Sequence, residues 1–322
     1  MKAIRVHTPG GIEALSYEDI PDPSPAPNEV LVRTEAAGVN YIDTYQRTGR
    51  YPVEPPFTLG MEGAGVVVEV GSEVTSLEAG DRVAHGTEIG SYAELQAVAA
   101  DRLVRIPEAL DTRTAAAVML QGCTAHYLTT SSFPLRAGHT ALVHAGAGGA
   151  GRLIIQMAKK SGAEVITTVG TPAKAEVAAA VGADHVINYR EEDFLPKVRE
   201  LTDGAGVDVV YDGVGKATFD RGLDCLKPRG YMVLFGAASG PVPPMDPQIL
   251  NQKGSLFLAR PSLGHHLITS EEFAWRTSSV LGWVADGSLE LKIHGEYALA
   301  DAAQAHTDLE GRATSGKLLL IP

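Results

Sequence analysis

The densest group of chemically suggestive residues is Gly146-Ala147-Gly148-Gly149-Ala150-Gly151, which satisfies GxGxxG. It lies between the apolar run Ala141-Leu142-Val143-His144 and a helix-like segment from Arg152 to Ser161. That segment carries Lys159 and Lys160 in its last turn, before Gly162. A strand that turns through glycines into a helix offers a diphosphate unbonded backbone N–H groups and the positive end of the helix dipole. The first glycine permits the tight turn, the second lets the diphosphate approach the backbone, and the third lets helix pack on strand. A bare GxGxxG is a weak signal, but the strand–loop–helix setting favours a dinucleotide site over a merely structural turn.

The next strand bears on which dinucleotide. An NAD site usually places Asp or Glu about twenty residues beyond the loop, to accept from the adenine ribose hydroxyl. This chain has Thr167-Thr168-Val169-Gly170-Thr171-Pro172-Ala173-Lys174 there, with no acid. A carboxylate would repel a 2′-phosphate. Its absence, with Lys174 just beyond, suits one, at about 1.5–3 kcal/mol for a charge-assisted hydrogen bond. The competing reading makes Lys174 a solvated lysine at a helix start. The missing acid favours NADPH.

These residues need a scaffold, and the pattern from about residue 138 supplies one. Strands at 141–144, 164–169, 185–188, 207–212, 231–235 and 255–258 alternate with helical segments, which implies a parallel sheet with helices on both faces. Residues 1–118 read mostly as strands and turns, with β-branched runs at 29–36 and 65–70 closed by glycine. The proline-rich stretch Pro21–Pro27 is a stiff surface connector rather than a ligand for a proline-reading module. After about residue 262 come one helix, around 271–286, and strand-like pieces near Tyr297 and at 318–321.

Composition narrows the class further. At roughly 150 residues per domain, 322 residues suggest about two domains. With 44% hydrophobic and 20% charged residues, the chain is neither disordered nor collagen-like, and its 35 glycines follow no three-residue period. A net charge of −12, with no basic cluster, disfavours nucleic-acid binding. No run reaches about 18 apolar residues and no secretory signal is visible, so a soluble cytoplasmic protein is expected. Cys123 and Cys225 form no CxxC pattern, so neither a disulfide framework nor a structural zinc site is indicated.

Several segments together resemble one family. Gly138-His139, Leu142, the run Gly146 to Gly151, Gln156 and Lys159 are similar to the signature of zeta-crystallin-like quinone oxidoreductases, a zinc-independent branch of the medium-chain dehydrogenases/reductases. So are Asn40–Tyr45 with Tyr51-Pro52, Gly60–Gly65, Gly80–Val83, Gln121-Gly122 with Thr124-Ala125, Tyr211-Asp212 with Val214-Gly215, and Arg312–Lys317. The chain departs from the family at Ala145-Gly146, where two alanines are common, and at Tyr41, where phenylalanine is.

The resemblance implies an α/β fold: a β-rich GroES-like catalytic domain at 1–120 and 263–322, interrupted by a Rossmann NADPH domain at 121–262, with the cofactor and a quinone meeting in the cleft. It implies no metal: Met61 stands where zinc-dependent relatives have histidine, and a thioether is a poor zinc ligand. Without a Lewis acid the substrate must accept electrons readily, as a quinone does. Asn40 is then the candidate to orient the nicotinamide ribose or the substrate carbonyl, because an amide can donate and accept. Tyr45 and Tyr51 are candidates for stacking and a phenolic hydrogen bond, against the reading that they only pack.

By similarity Gly170, Thr171, Lys174, Tyr189 and Arg312 surround the 2′-phosphate. Tyr41, Thr124, Phe235, Gly236, Leu258 and Arg260 line the rest of the cofactor channel, beside Gly146, Gly148, Gly149, Ala150 and Gly151. A homodimer joined near Ser255–Leu258 is expected from kin. The nearest rival activity is NADPH-dependent reduction of enones, alkenals or enoyl thioesters, and a rival of another class is a crystallin-like or RNA-binding role.

Overall fold

The computed structural model describes residues 1–311 and 314–322. The chain divides into two compact units, Met1–Cys123 with Leu267–Pro322, and Thr124–His266. The fold class is the expected one: a β-rich GroES-like unit and a Rossmann-like parallel-sheet unit.

The continuous second unit holds six parallel strands. Across the sheet they run His185–Asn188, Glu164–Val169, Thr140–His144, Val207–Asp212, Leu226–Leu234 and Phe257–Ala259. Strand order reverses between Thr140–His144 and Val207–Asp212, which pair side by side. That switch point is where doubly wound folds bind ligands, beyond the carboxyl ends of the strands. Strand Val207–Asp212 is buried at every position, as a central strand covered on both faces must be. Leu142, Ile166, Val210, Phe219, Leu223 and Met232 form the core with it. Helix Gly149–Lys160 buries Leu153, Ile154, Ile155, Met157 and Ala158. Each large aliphatic side chain contributes about 1.5–3 kcal/mol on burial. The helix starts at Gly149, three residues before the sequence pattern suggests, because glycines carry no periodic signal.

The first unit is built on a mainly antiparallel sheet. Its main path runs Ile293–Ala298, Lys317–Ile321, Glu29–Val39, Gly63–Val70, Arg82–His85 and Val104–Arg105, and Leu95–Ala99 also pairs with Glu29–Val39. Thus Lys317–Ile321 lies directly beside Glu29–Val39, bringing residues from near both ends of the chain into one core. A smaller sheet joins Ser16–Asp19, Lys2–Val6 and Phe57–Thr58. Three helices here are not evident from sequence: Tyr41–Arg47, the 16-residue Thr112–Tyr127 that carries the chain past Cys123, and Ala302–Glu310, in a tail expected to hold a single helix around 271–286.

Candidate functional site

In the second unit the glycine loop closes strand Thr140–His144 and opens helix Gly149–Lys160. Ala145 turns the chain with φ 58°, a left-handed conformation uncommon for a residue with a Cβ. A Cβ on Gly146 would lie 2.0 Å from Thr167 Oγ1, and one on Gly151 would lie 2.3 Å from the Ala145 carbonyl oxygen. Both glycines are therefore demanded by internal packing. Gly148 differs, because its Cβ would meet only the Ala145 oxygen, at 3.2 Å, and its φ of −74° suits any residue. Gly148 is also the N-cap and provides no side chain to cap the helix. The first N–H groups, of Gly149, Ala150 and Gly151, have no partner inside the helix. A diphosphate fits this arrangement: unbonded donors, a positive dipole end, and room above Gly148 that the protein does not fill.

Of the predicted 2′-phosphate residues, Gly170, Thr171, Lys174 and Tyr189 lie at or next to the end of strand Glu164–Val169. Thr171 caps helix Pro172–Ala180, its Oγ1 accepting from the Lys174 N–H at 3.3 Å. The Tyr189 hydroxyl lies against Gly170, 2.5 Å from where a Cβ would be. Tyr189 is itself held by its N–H donating to the Val169 carbonyl at 3.0 Å, and its side chain is exposed. Arg312 lies outside the described residues.

At the switch point the Asp212 carboxylate organises the next loop. Its Oδ1 accepts from Val214 N–H at 2.7 Å and Gly215 N–H at 2.9 Å, and both its oxygens accept from Thr218 Oγ1. Phe235 and Gly236 donate their N–H groups to the Asp212 carbonyl, which folds them over Gly213. Leu258 and Arg260 lie at the sheet edge and are exposed, and Thr124 is half-buried in its helix.

The first unit gathers charge instead. Asn40 ends strand Glu29–Val39 and precedes helix Tyr41–Arg47. Its Nδ2 donates to the Gly38 carbonyl at 3.1 Å and to Glu62 Oε2 at 2.9 Å, and its Oδ1 accepts from Lys317 Nζ at 2.7 Å. Glu62 and Lys317 form an ion pair with both side chains wholly buried. The second Glu62 oxygen accepts from Leu120 N–H at 2.7 Å. Gly38 makes room for the pair, since a Cβ there would lie 2.1 Å from Glu62 Oε2.

Helix Tyr41–Arg47 is tied down along its length. Asp43 Oδ2 accepts from Asn40 N–H at 2.7 Å and from the Tyr92 hydroxyl at 2.9 Å, while Asp43 Oδ1 is buried with no hydrogen-bond partner. Arg47 donates to His306 Nδ1 at 3.1 Å and to both Glu310 oxygens. A guanidinium only donates, so Nδ1 accepts, and the neutral ring directs its Nε2–H at the Tyr92 oxygen, 3.2 Å away. Burial pushes the Asp43 carboxyl up to about 7, against the hydrogen bonds from Asn40 and Tyr92. Burial, with Arg47 adding to it, pulls the His306 imidazole down to about 3.

Tyr45 on the same helix meets Tyr51 of the segment that follows it, the rings edge to face with 5.2 Å between centroids, and Arg50 stacks over Tyr45 at 4.5 Å. Tyr41 donates its hydroxyl to the Leu309 carbonyl at 3.1 Å. At Met61 the thioether accepts from Gln46 Nε2 at 3.2 Å. Among the described residues no group of three or more His, Cys, Asp or Glu side chains is arranged to hold a metal ion.

The sequence patterns identify neither Lys317 as a partner for Asn40 nor Glu62 as part of its surroundings. A signal existed: an acid between Met61 and Gly63, and a lysine heading the apolar run Leu318–Ile321, are opposite charges each set in apolar surroundings.

Comparison with known proteins agrees with this architecture. Residues 26–108 match a family model described as "Alcohol dehydrogenase GroES-like domain", and residues 149–276 match one described as "Zinc-binding dehydrogenase". These assign the class, the medium-chain dehydrogenases/reductases. The quinone oxidoreductase of Pseudomonas aeruginosa is 46% identical, covering 100% of this chain and 99% of that protein. The crystal structure of Escherichia coli quinone oxidoreductase complexed with NADPH is 43% identical, with a TM-score of 0.98 over 100% of both chains. A 2-haloacrylate reductase from Burkholderia is 39% identical over 98% of each. Within that class, the chain belongs to the quinone oxidoreductase family.

Proposed function

We propose that the chain is an NADPH-dependent quinone reductase that passes reducing equivalents to its acceptor without zinc. The carrying observation is the paired geometry of the second unit: an uncapped helix start with room at Gly148, and Gly170, Thr171, Lys174 and Tyr189 assembled where no acid stands. The curated relatives at 43–46% identity are named quinone oxidoreductase, and two solved structures at 43% and 47% identity are complexed with NADPH.

The N–H groups of Gly149, Ala150 and Gly151 would bind the diphosphate, with Gly146 shaping the turn. Gly170, Thr171, Lys174, Tyr189 and Arg312 would hold the 2′-phosphate. Thr124, Phe235, Gly236, Leu258, Arg260 and the Tyr41 ring would line the remaining cofactor surface. Tyr45 and Tyr51 form an edge-to-face aromatic pair proposed to receive a planar acceptor, and Asn40 orients the reacting end. When bound, NADPH supplies the hydride, and the protein aligns donor and acceptor and keeps water out.

The domains are proposed as 1–120 with 263–322 for catalysis and 121–262 for the cofactor. Among the described residues no helix is long and apolar enough to cross a membrane; a cytoplasmic location is proposed, to be checked by cell fractionation. A homodimer is proposed through the edge strand Phe257–Ala259, whose Phe257 and Leu258 side chains are exposed. Light scattering that finds only monomer at micromolar concentration refutes it.

The activity test follows NADPH oxidation with quinones, enones, 2-haloacrylate and enoyl-CoA, with and without EDTA. Quinones are expected to be the best acceptors, with EDTA without effect. Turnover confined to conjugated carbon–carbon double bonds transfers the assignment to the rival activity. RNA retention in a shift assay, without NADPH turnover, supports the non-enzymatic one.

A further inference from the structure

The buried cluster around Asn40 fixes what that side chain can offer a ligand. Lysine only donates hydrogen bonds, so the Asn40 atom facing Lys317 Nζ must be oxygen; a carbonyl and a carboxylate only accept, so the atom facing Gly38 and Glu62 must be nitrogen. The amide cannot flip without setting Nδ2 against the ammonium and Oδ1 against the carboxylate. Both Nδ2 hydrogens are engaged, at 3.1 Å and 2.9 Å. Asn40 therefore has nothing left to donate, and only Oδ1 can take a further hydrogen bond.

We infer that Glu62 and Lys317 are positioning residues that lock Asn40 as an acceptor, and that Asn40 takes a hydrogen bond from a nicotinamide-ribose hydroxyl rather than giving one to the quinone carbonyl. This narrows the expectation that the amide serves either partner, and it rests on the NADPH reading above. Electrostatics fit the direction. The ammonium draws on Oδ1 from one side and the carboxylate draws on the Nδ2 hydrogens from the other, so the amide dipole is held in one sense by full charges. Replacing one member alone leaves an uncompensated buried charge, so the informative variant removes both.

The test measures equilibrium dissociation constants by fluorescence titration for NADPH and for two analogues, each lacking one hydroxyl of the nicotinamide ribose. In the wild-type protein one analogue is expected to bind roughly 5- to 10-fold more weakly than NADPH, the worth of one hydrogen bond. In Glu62→Gln/Lys317→Met, and in Asn40→Ala, that discrimination is expected to fall to about 2-fold or less. The preference for NADPH over NADH, set elsewhere, is expected to be unchanged. A cluster that merely supports the fold would weaken all three ligands alike.

Full discrimination in the double variant overturns the positioning role. A wild type that binds NADPH tightly yet does not distinguish the analogues overturns the ribose assignment, as does a double variant whose only change is a raised KM for quinone. If the double variant does not fold, Asn40→Ala and Asn40→Leu decide by the same ratio. A wild type that binds no NADPH at all refutes the function itself, a result distinguishable from the others because no ratio can then be measured.

Discussion

The two units hold their candidate groups by opposite means. In the second unit the groups are backbone N–H donors, and close packing sets them: Gly146 and Gly151 exist because side chains there would collide with Thr167 and the Ala145 carbonyl. In the first unit they are side chains held by charge, with Glu62 and Lys317 wholly buried around Asn40. A site made of backbone can be specified by a short run of residues. A site made of charged side chains needs partners from distant segments, and it is vulnerable to the loss of any one of them.

The sharpest way to break this contrast is Lys317→Met. It strands the Glu62 carboxylate in the interior and should cost about 3–5 kcal/mol in chemical denaturation, while adding Glu62→Gln should recover most of it. If the single variant is as stable as wild type, the pair is not what holds this unit. Next comes Lys174→Ala in the other unit. It should weaken NADPH binding about 10- to 100-fold while leaving NADH affinity and the melting temperature nearly unchanged, and equal losses for both cofactors refute the 2′-phosphate assignment.

A pair of glycine variants then separates packing from ligand approach. Gly151→Ala should lower stability by about 1–3 kcal/mol, because its Cβ meets backbone. Gly148→Ala should cost under about 1 kcal/mol yet weaken NADPH roughly tenfold or more. A Gly148→Ala protein that melts close to wild type yet binds NADPH more weakly would establish Gly148 as a ligand position.

The last effects concern pH, and in the charged unit two large shifts of opposite sign meet. Asp43, raised to about 7 from 3.8, binds its proton more tightly when folded, so its contribution to stability falls as pH rises between about 4 and 7. His306, lowered to about 3 from 6.5, binds its proton less tightly when folded, so its contribution rises between about 3 and 6.5. Joined through Tyr92, the two oppose each other over most of that window. Relative to wild type, Asp43→Asn should gain stability with rising pH, and His306→Gln should lose it. Parallel pH profiles for all three proteins would dissolve the coupling.

The same contrast explains what could be read in advance. Alternating strands and helices, the glycine loop and the missing acid after Thr168 are local patterns, and the second unit follows them closely. Helix Tyr41–Arg47 is hard to see because Tyr41, Ile42 and Thr44 are indifferent helix formers; beyond the local cap between Asn40 and Asp43, the helix is held by Asp43 and Arg47 through tertiary bonds to Tyr92 and His306. The link from Asn40 to Lys317 spans 277 positions, and that from Glu62 spans 255, and no window along the sequence joins them. Resemblance pointed to Asn40, Tyr45 and Tyr51 but was silent on what holds Asn40.

The buried pair also sets a timetable. At about 5–20 residues per second, a ribosome adds Lys317 roughly 10 to 50 s after Glu62, given the 255 positions between them. Until then the carboxylate has no ammonium to face, and the strand Lys317–Ile321 that pairs with Glu29–Val39 does not yet exist. The second unit is made wholly within that interval and is continuous in the chain. A nascent chain halted short of residue 317 would carry every residue of the second unit yet lack the strand that completes the main sheet of the first.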